Sequence, residues 1–316
     1  MKILKKLSST FVLILTLIIF GILYRQFLTF SNISNILLQS SILGIVAGGM
    51  TFVILSGGID LSVGSVVALT SAISAGLEVN MHLPWYIAFL GAIAIGALFG
   101  AINGGLIVYG GLQPFIATLT TMAIARGVTL TYTQGYPISG MSDMFLFWGS
   151  GDIHGFPVPI IVLIFVLLIL YIVLRKTRFG FHIFAVGGYE QAARITGINI
   201  NRVKFMVYVV SGITAAIGGI LLAGRLWSAQ PNAALGFELD AIAAVVLGGT
   251  SLFGGVGGIG GTIIGTLIMG SLDNGLRLLG VTSYVQQVIK GAVFVLAVLL
   301  DLIVKGKLSG KAQDEI

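Results

Sequence analysis

Apolar stretches broken by glycine, proline or charge follow one another along almost the whole chain. They predict helical spans at about 8–27, 36–56, 61–79, 85–109, 114–132, 157–174, 205–224, 239–256, 259–279 and 282–304. A helix needs about 20 mainly apolar residues to cross the hydrocarbon core of a bilayer. The pattern therefore predicts an all-α integral membrane protein of about ten transmembrane helices, one transmembrane domain over 1–316. The glycine-rich stretch from Gly248 to Gly261 fits a full span, a re-entrant segment or a broken helix equally well.

Composition agrees with lipid as the solvent. Of the 316 residues, 57% are hydrophobic and 9% charged, and the mean hydropathy is +1.07, values that a water-soluble domain does not tolerate. The formal charge of +6 points to orientation rather than to a nucleic-acid partner, because the cations sit beside apolar segments. Lys2, Lys5 and Lys6 place the N-terminus in the cytoplasm. Ten spans then put the loop 175–204 and the C-terminal tail with Lys305, Lys307 and Lys311 on the same side. Asp143, Asp152 and His154 fall outside. The basic start followed by the apolar run from Phe11 to Leu23 has the look of a secretory signal, but no small-residue cleavage pattern follows, and it is read as an uncleaved first helix. With no cysteine, and with three scattered histidines (His82, His154, His182), the chain offers no thiol chemistry, metal-ligand cluster or catalytic constellation. No cofactor is implied.

The 45 glycines fall inside spans rather than in linkers. Gly91, Gly96 and Gly100, and Gly257, Gly261 and Gly265, place small residues on nearly one helix face, the pattern that lets backbones approach closely. Gly100, Gly105, Leu106 and Gly110 recur as Gly270, Gly275, Leu276 and Gly280, and Leu-Ser-Gly-Gly ending at Gly58 echoes Leu-Gly-Gly ending at Gly249. The first pair lies in the fourth and ninth spans, which run in opposite directions. Two five-helix halves of inverted topology produce such a pattern.

Few groups carry chemistry. Ser56-Gly-Gly-Ile-Asp-Leu-Ser-Val-Gly-Ser65 sets a carboxylate among apolar residues. Asp60 is either functional, as ionisable residues at membrane depth commonly are, or it and Ser62 cap the next helix. Asp273 and Arg277, four apart, are expected to neutralise each other. Arg126 and Lys290 are expected to snorkel to the interface, and Asn103 and Asn274 to hydrogen-bond between helices. In loop 175–204, Tyr189-Glu-Gln-Ala-Ala-Arg-Ile-Thr-Gly197 reads as a short amphipathic helix stopped by glycine. It either lies on the membrane or docks into another protein, and its small apolar members favour a protein groove. No G-x-x-x-x-G-K-[ST] phosphate loop is present, so ATP chemistry would have to come from a partner. The alternative, a stand-alone channel or ion-coupled carrier, wants buried carboxylates for coupling, and the chain is poor in them.

Gly57-Gly-Ile-Asp-Leu-Ser-Val-Gly-Ser65, Gln113-Pro-Phe-Ile-Ala-Thr-Leu119, Thr177-Arg-Phe-Gly180, Ala185-Val-Gly-Gly188 and Glu238-Leu-Asp-Ala-Ile-Ala-Ala-Val-Val-Leu-Gly-Gly-Thr250 resemble the branched family of ABC importer permeases for ribose and related sugars. The resemblance covers nearly the whole chain. It implies a permease without catalytic residues of its own, working with an ABC ATPase subunit, an external or periplasmic sugar-binding protein and a second copy of itself in the bacterial inner membrane. The loop Gln191-Ala-Ala-Arg-Ile-Thr-Gly197 is similar to the one that such permeases insert into the ATPase, with Glu190 one place before the usual position of a glutamate. That makes Glu190, Gln191, Ala192, Ala193, Arg194 and Gly197 the docking candidates. Ser228-Ala-Gln-Pro231 and Asn274-Gly-Leu-Arg-Leu-Leu-Gly-Val-Thr-Ser-Tyr284 resemble the ribose permeases in particular. Gly57, Gly58, Asp60, Ser62, Asn103 and Asn274 are the pathway or gate candidates.

Overall fold

A computed structural model of the chain describes residues 2–313. In order, the elements are α1 (Lys2–Leu23), α2 (Phe30–Leu55), α3 (Val63–Val79), α4 (Trp85–Val108), α5 (Pro114–Thr133), β1 (Ile138–Ser139), α6 (Asp143–Ser150), β2 (Asp152–Ile153), β3 (Phe156–Pro157), α7 (Val158–Lys176), α8 (Arg178–Gly188), α9 (Glu190–Ile195), α10 (Ile200–Leu226), β4 (Ser228–Ala229), α11 (Phe237–Leu247), α12 (Ile259–Leu278) and α13 (Ser283–Gln313). β1 pairs antiparallel with β4, Ile138 opposite Ala229, and β2 with β3. Among the described residues four helices, α2, α4, α7 and α10, are long and apolar enough to cross a membrane. The side chains of Lys2, Lys5, Lys6, Lys305, Lys307 and Lys311 lie outside the described residues.

Burial sorts the apolar helices by what surrounds them. From Ser40 to Ser56, α2 and its C-cap are buried on every side, as a helix apolar all round must be when it forms the centre of a bundle. α7 is as apolar, yet Ile164, Phe165, Leu168 and Ile169 stand exposed on it. In a protein whose solvent is lipid, such a face is satisfied by acyl chains.

Glycine sets the closest crossing. A Cβ on Gly96 would run into the Gly212 carbonyl and come within 2.6 Å of the Ala216 side chain, and one on Gly104 would come within 2.9 Å of the Phe205 backbone. A Cβ on Gly100 would strike the Tyr208 carbonyl. The stripe Gly96, Gly100, Gly104 thus holds α4 against α10 with backbones touching, whereas Gly91, expected on the same face, meets the Leu77 side chain of α3 instead. Gly261 and Gly265 do the same for α12, meeting Gly248 and Ala244, but Gly257, expected on that helix face, lies before the helix with φ 141° and meets Thr250.

The contacts repeat under exchange. α4 packs on α10 as α12 packs on α2; α3 packs on α10, α4 and α5 as α11 packs on α2, α12 and α13. Swapping α2 to α5 with α10 to α13 therefore maps these helix pairs onto one another. The Leu-Ser-Gly-Gly and Leu-Gly-Gly echo does not follow that exchange: one member lies between α2 and α3, the other between α11 and α12.

The eighth expected span is shorter than its hydrophobicity suggests. α11 ends at Leu247, and the chain then runs without helix to Gly258. Gly249, Gly254, Gly255, Gly257 and Gly258 all have positive φ, a conformation that admits no helix and that glycine alone adopts without strain. The stretch is a break between two helices. Its loop is pinned to α13, where the Asp301 carboxylate accepts from Ser251 Oγ at 3.1 Å and Leu252 N at 3.2 Å.

Candidate functional site

Local sequence builds a projecting hairpin. Thr177 caps α8, its hydroxyl accepting from Gly180 N at 3.3 Å, and Asn199 caps α10, accepting from Arg202 N at 3.0 Å. Between them α9 covers the expected short helix. It ends with Gly197 at φ 81°, Gly197 N donating to Arg194 O at 3.1 Å and Ile198 N to Ala193 O at 3.1 Å. That is the paired C-terminal motif that a left-handed glycine makes possible.

The members of α9 divide by contact. Ala193 is buried, whereas Gln191, Ala192 and Arg194 are exposed. Glu190 turns back to the bundle: its carboxylate takes a 2.7 Å ion pair from Lys204 of α10 and a 3.4 Å one from Arg194. The Lys204 hydrogen bond holds the Glu190 carboxyl below its ordinary range. Gln191 is occupied too, accepting from the Tyr189 hydroxyl at 2.9 Å. One expectation fails here, that the apolar members of the exposed surface are small. Its large apolar groups are Tyr189 and Ile195, the latter 87% exposed, because the alanine spacing turns Ala193 inward.

Behind α9 three chain segments meet. A Cβ on Gly187, at the end of α8, would strike the Leu55 carbonyl and come within 2.8 Å of Gly255 N. Gly255 N itself donates to Leu55 O at 2.9 Å. One on Gly254 would lie 3.0 Å from Gly57 N. The two glycine-rich segments around Gly57 and Gly255 are therefore in contact, and the helix leading into α9 rests on both. Gly57 has φ 83° with open space at its Cβ position; Gly58 is pressed against the Tyr208 hydroxyl, so no side chain fits there.

Asp60 is 1% exposed and faces no cation. Its Oδ1 accepts from Ser62 N at 3.0 Å and Ser62 Oγ at 2.6 Å, and its Oδ2 from Ser211 Oγ at 2.8 Å. Ser62 Oγ accepts from Asn103 Nδ2 at 2.8 Å, and Asn103 Oδ1 accepts from Thr121 Oγ1 at 2.5 Å. A carboxylate out of water is tolerable only when its lone pairs are met in this way. One chain of hydrogen bonds thus ties the α2–α3 turn to α4, α5 and α10. The capping expectation is corrected: Ser62 occupies the N-cap of α3 without a side-chain bond to its first turn, and the backbone amide that Asp60 meets is that of Ser62, which precedes the helix.

Asn274 behaves as expected, its Oδ1 accepting from Asn32 Nδ2 at 2.9 Å across α12 and α2. Asp273 does not pair with Arg277. Its carboxylate lies 2.9 Å from Lys290 Nζ, which also pairs with Asp240 at 2.8 Å, while Arg277 Nε reaches only the Asp273 carbonyl at 3.4 Å. Lys290 does not snorkel, nor does Arg126, whose guanidinium donates to Pro231 O at 2.7 Å and Ala233 O at 3.0 Å. In both cases a partner elsewhere in the chain replaces water. Ser211, Thr121, Tyr208 and Asp240 carried no local signal; only the fold brings them to Asp60 and Lys290. Among the described residues no group of His, Asp and Glu is placed to hold a metal.

Residues 32–298 match the family model described as branched-chain amino acid transport system / permease component. The chain is similar to the ribose import permease protein RbsC of Bacillus subtilis (strain 168), 52% identical over 95% of this chain and 93% of that protein. It is similar to the protein of the same name in Escherichia coli (strain K12), 48% identical over 93% of this chain and 92% of the other. The D-allose transport system permease protein AlsC of the same strain is 40% identical over 95% and 92%. No solved structure matches the chain.

Proposed function

Since the chain belongs to the family of branched-chain amino acid transport system permease components, we propose that it is the membrane-spanning permease of an ABC importer that carries ribose or a closely related monosaccharide into the cell. The relatives named for ribose and allose import support the sugar. One geometric observation carries the mechanism: α9 projects from the bundle while the helix before it rests on both glycine-rich breaks, at Leu55 and Gly255.

In this reading the whole of 1–316 is one transmembrane permease domain with about ten crossings, and 175–204 is its cytoplasmic docking loop. The bundle end that carries α9 faces the cytoplasm, as do both termini. The exchange of helix contacts between α2 to α5 and α10 to α13 supports two halves of inverted topology. Gln191, Ala192, Arg194 and the exposed Ile195 meet a separate ATPase subunit, while Glu190 and Ala193 fasten α9 to the permease. The chain has no phosphate-binding loop, so hydrolysis belongs to that partner. Movement of the ATPase shifts α9, α8 moves with it, and the breaks at 57–59 and 249–257 take up the displacement, because neither carries the i→i−4 backbone hydrogen bonds of a helix. The Asp60 network keeps α3, α4, α5 and α10 in register during that shift. Gly57 and Gly58 belong to the moving gate; Asp60, Ser62, Asn103 and Asn274 hold helices rather than sugar. A second copy completes the pathway, a sugar-binding protein delivers from outside, and the lipid-facing α7 lies in the bacterial cytoplasmic membrane.

The test is labelled ribose uptake into proteoliposomes holding this chain with its ATPase and binding protein. Uptake that needs every component and ATP supports the reading. Ribose entry through this chain alone would replace it with a channel or carrier.

A further inference from the structure

α10 contains 27 residues, roughly 40 Å of helix at 1.5 Å per residue, so the start of α11 lies at the bundle end opposite α9. There α11 and α13 diverge around a cavity of about 390 Å³, with Gly236, Asp240, Ser283, Gln286, Gln287 and Lys290 supplying its polar wall and backbone. That volume falls within the range of small-molecule sites.

The wall has a particular electrostatic character. Lys290 is held between Asp240 at 2.8 Å and Asp273 at 2.9 Å, so its charge is already neutralised, and among the described residues no other cation lines the cavity. Gln286 donates its amide to Val281 O at 2.7 Å, which turns its oxygen into a free acceptor. The Ser283 and Gln287 side chains have no hydrogen-bond partner among the described residues. Gly236 keeps the mouth open beside Gln287: a Cβ there would stand 4.0 Å from Gln287 Nε2, on a backbone with φ 77°. An amino acid would bring a carboxylate that needs an unpaired cation, and none is on offer. A neutral polyol needs donors and acceptors in mixed array, which the amides, a hydroxyl and the Asp240 carboxylate provide.

We propose that this cavity is the site in the permease that receives the neutral monosaccharide, with Gln287, Ser283 and Asp240 meeting its hydroxyls and Lys290 positioning Asp240. The inference rests on the sugar-importer reading above. A site of neutral hydrogen-bonding groups open to its surroundings suits a transit point, which must release what it takes.

The chain lacks cysteine, so a Gln287→Cys variant carries one thiol. In proteoliposomes containing the permease with its ATPase, a membrane-impermeant maleimide applied from outside is expected to label it. Ribose at high millimolar concentration should slow that labelling several-fold, while leucine should not. Tyr136→Cys, on the exposed loop beside β1 at the same bundle end, should label at one rate throughout. If labelling of Gln287→Cys is absent, or is indifferent to ribose in a complex that imports ribose with ATP once the binding protein is added, the site is overturned and the function stands. If the complex imports leucine instead and leucine protects, the sugar reading and this site fall together.

Discussion

Asp60 shows at the scale of one residue how a buried carboxylate is kept. Three donors from two serines meet it, and each stands on a different demand of the fold. Ser211→Ala removes the only one on Oδ2, and leaving a buried acceptor unmet costs about 1–3 kcal/mol. The expected result is a lower melting temperature in detergent with the protein still folded; melting indistinguishable from the parent would remove Ser211 from the network. Glu190 makes a second case, governed by pH. The Lys204 hydrogen bond lowers its folded-state pKa, so the stability that the clamp adds is fully present above the ordinary carboxylate value and is lost as pH falls through the depressed one. The protection factors of the α9 amides, the intrinsic exchange rate at each pH divided by the observed one, should therefore be constant from neutrality down to about pH 5, given an unperturbed glutamate near 4.3, and fall in stronger acid. Glu190→Gln should abolish that acid response. The pair is half exposed, so its effect is local to α9 rather than global.

Among elements, the α4–α10 crossing is the most tightly determined. Its glycine stripe is legible in the residue spacing itself, since small residues four apart on a lipid-solvated helix have one ready use. Gly100→Leu would drive a side chain into the Tyr208 carbonyl, and overpacking of this kind costs typically about 1–3 kcal/mol or more. We expect that variant to lose thermal stability sharply while Gly105→Ala, with open space around it, does not; equal melting of the two would show that the crossing is loose. The boundaries of α11 are less legible. Val245, Val246 and Leu247 read as continuing into an apolar span, and hydropathy is blind to backbone sign. Only the run of positive φ from Gly249 to Gly258 shows where the helix stops.

Taken whole, the molecule links its projecting helix to its two breaks through one backbone-tight joint at Gly187. Gly187→Ala should separate Leu55 from Gly255 and so, in the proposed importer, uncouple ATP hydrolysis from sugar uptake. ATP hydrolysis by the assembled complex is expected to persist while ribose uptake per ATP falls several-fold; an unchanged ratio would mean that the joint transmits nothing. Period and composition are enough, on the sequence alone, to show an apolar helical membrane protein, the stop of α9 at Gly197 and the close glycine faces. These depend on residues within a turn or two of one another, where helix geometry converts spacing into position. Which charges meet was decided only by tertiary structure: Asp273 could be assigned to Arg277 by local spacing, yet it pairs with Lys290, and Asp60 finds Ser211 across 151 positions. Out of water a polar group takes whichever partner the packing of whole helices brings within reach, and sequence distance does not enter that choice.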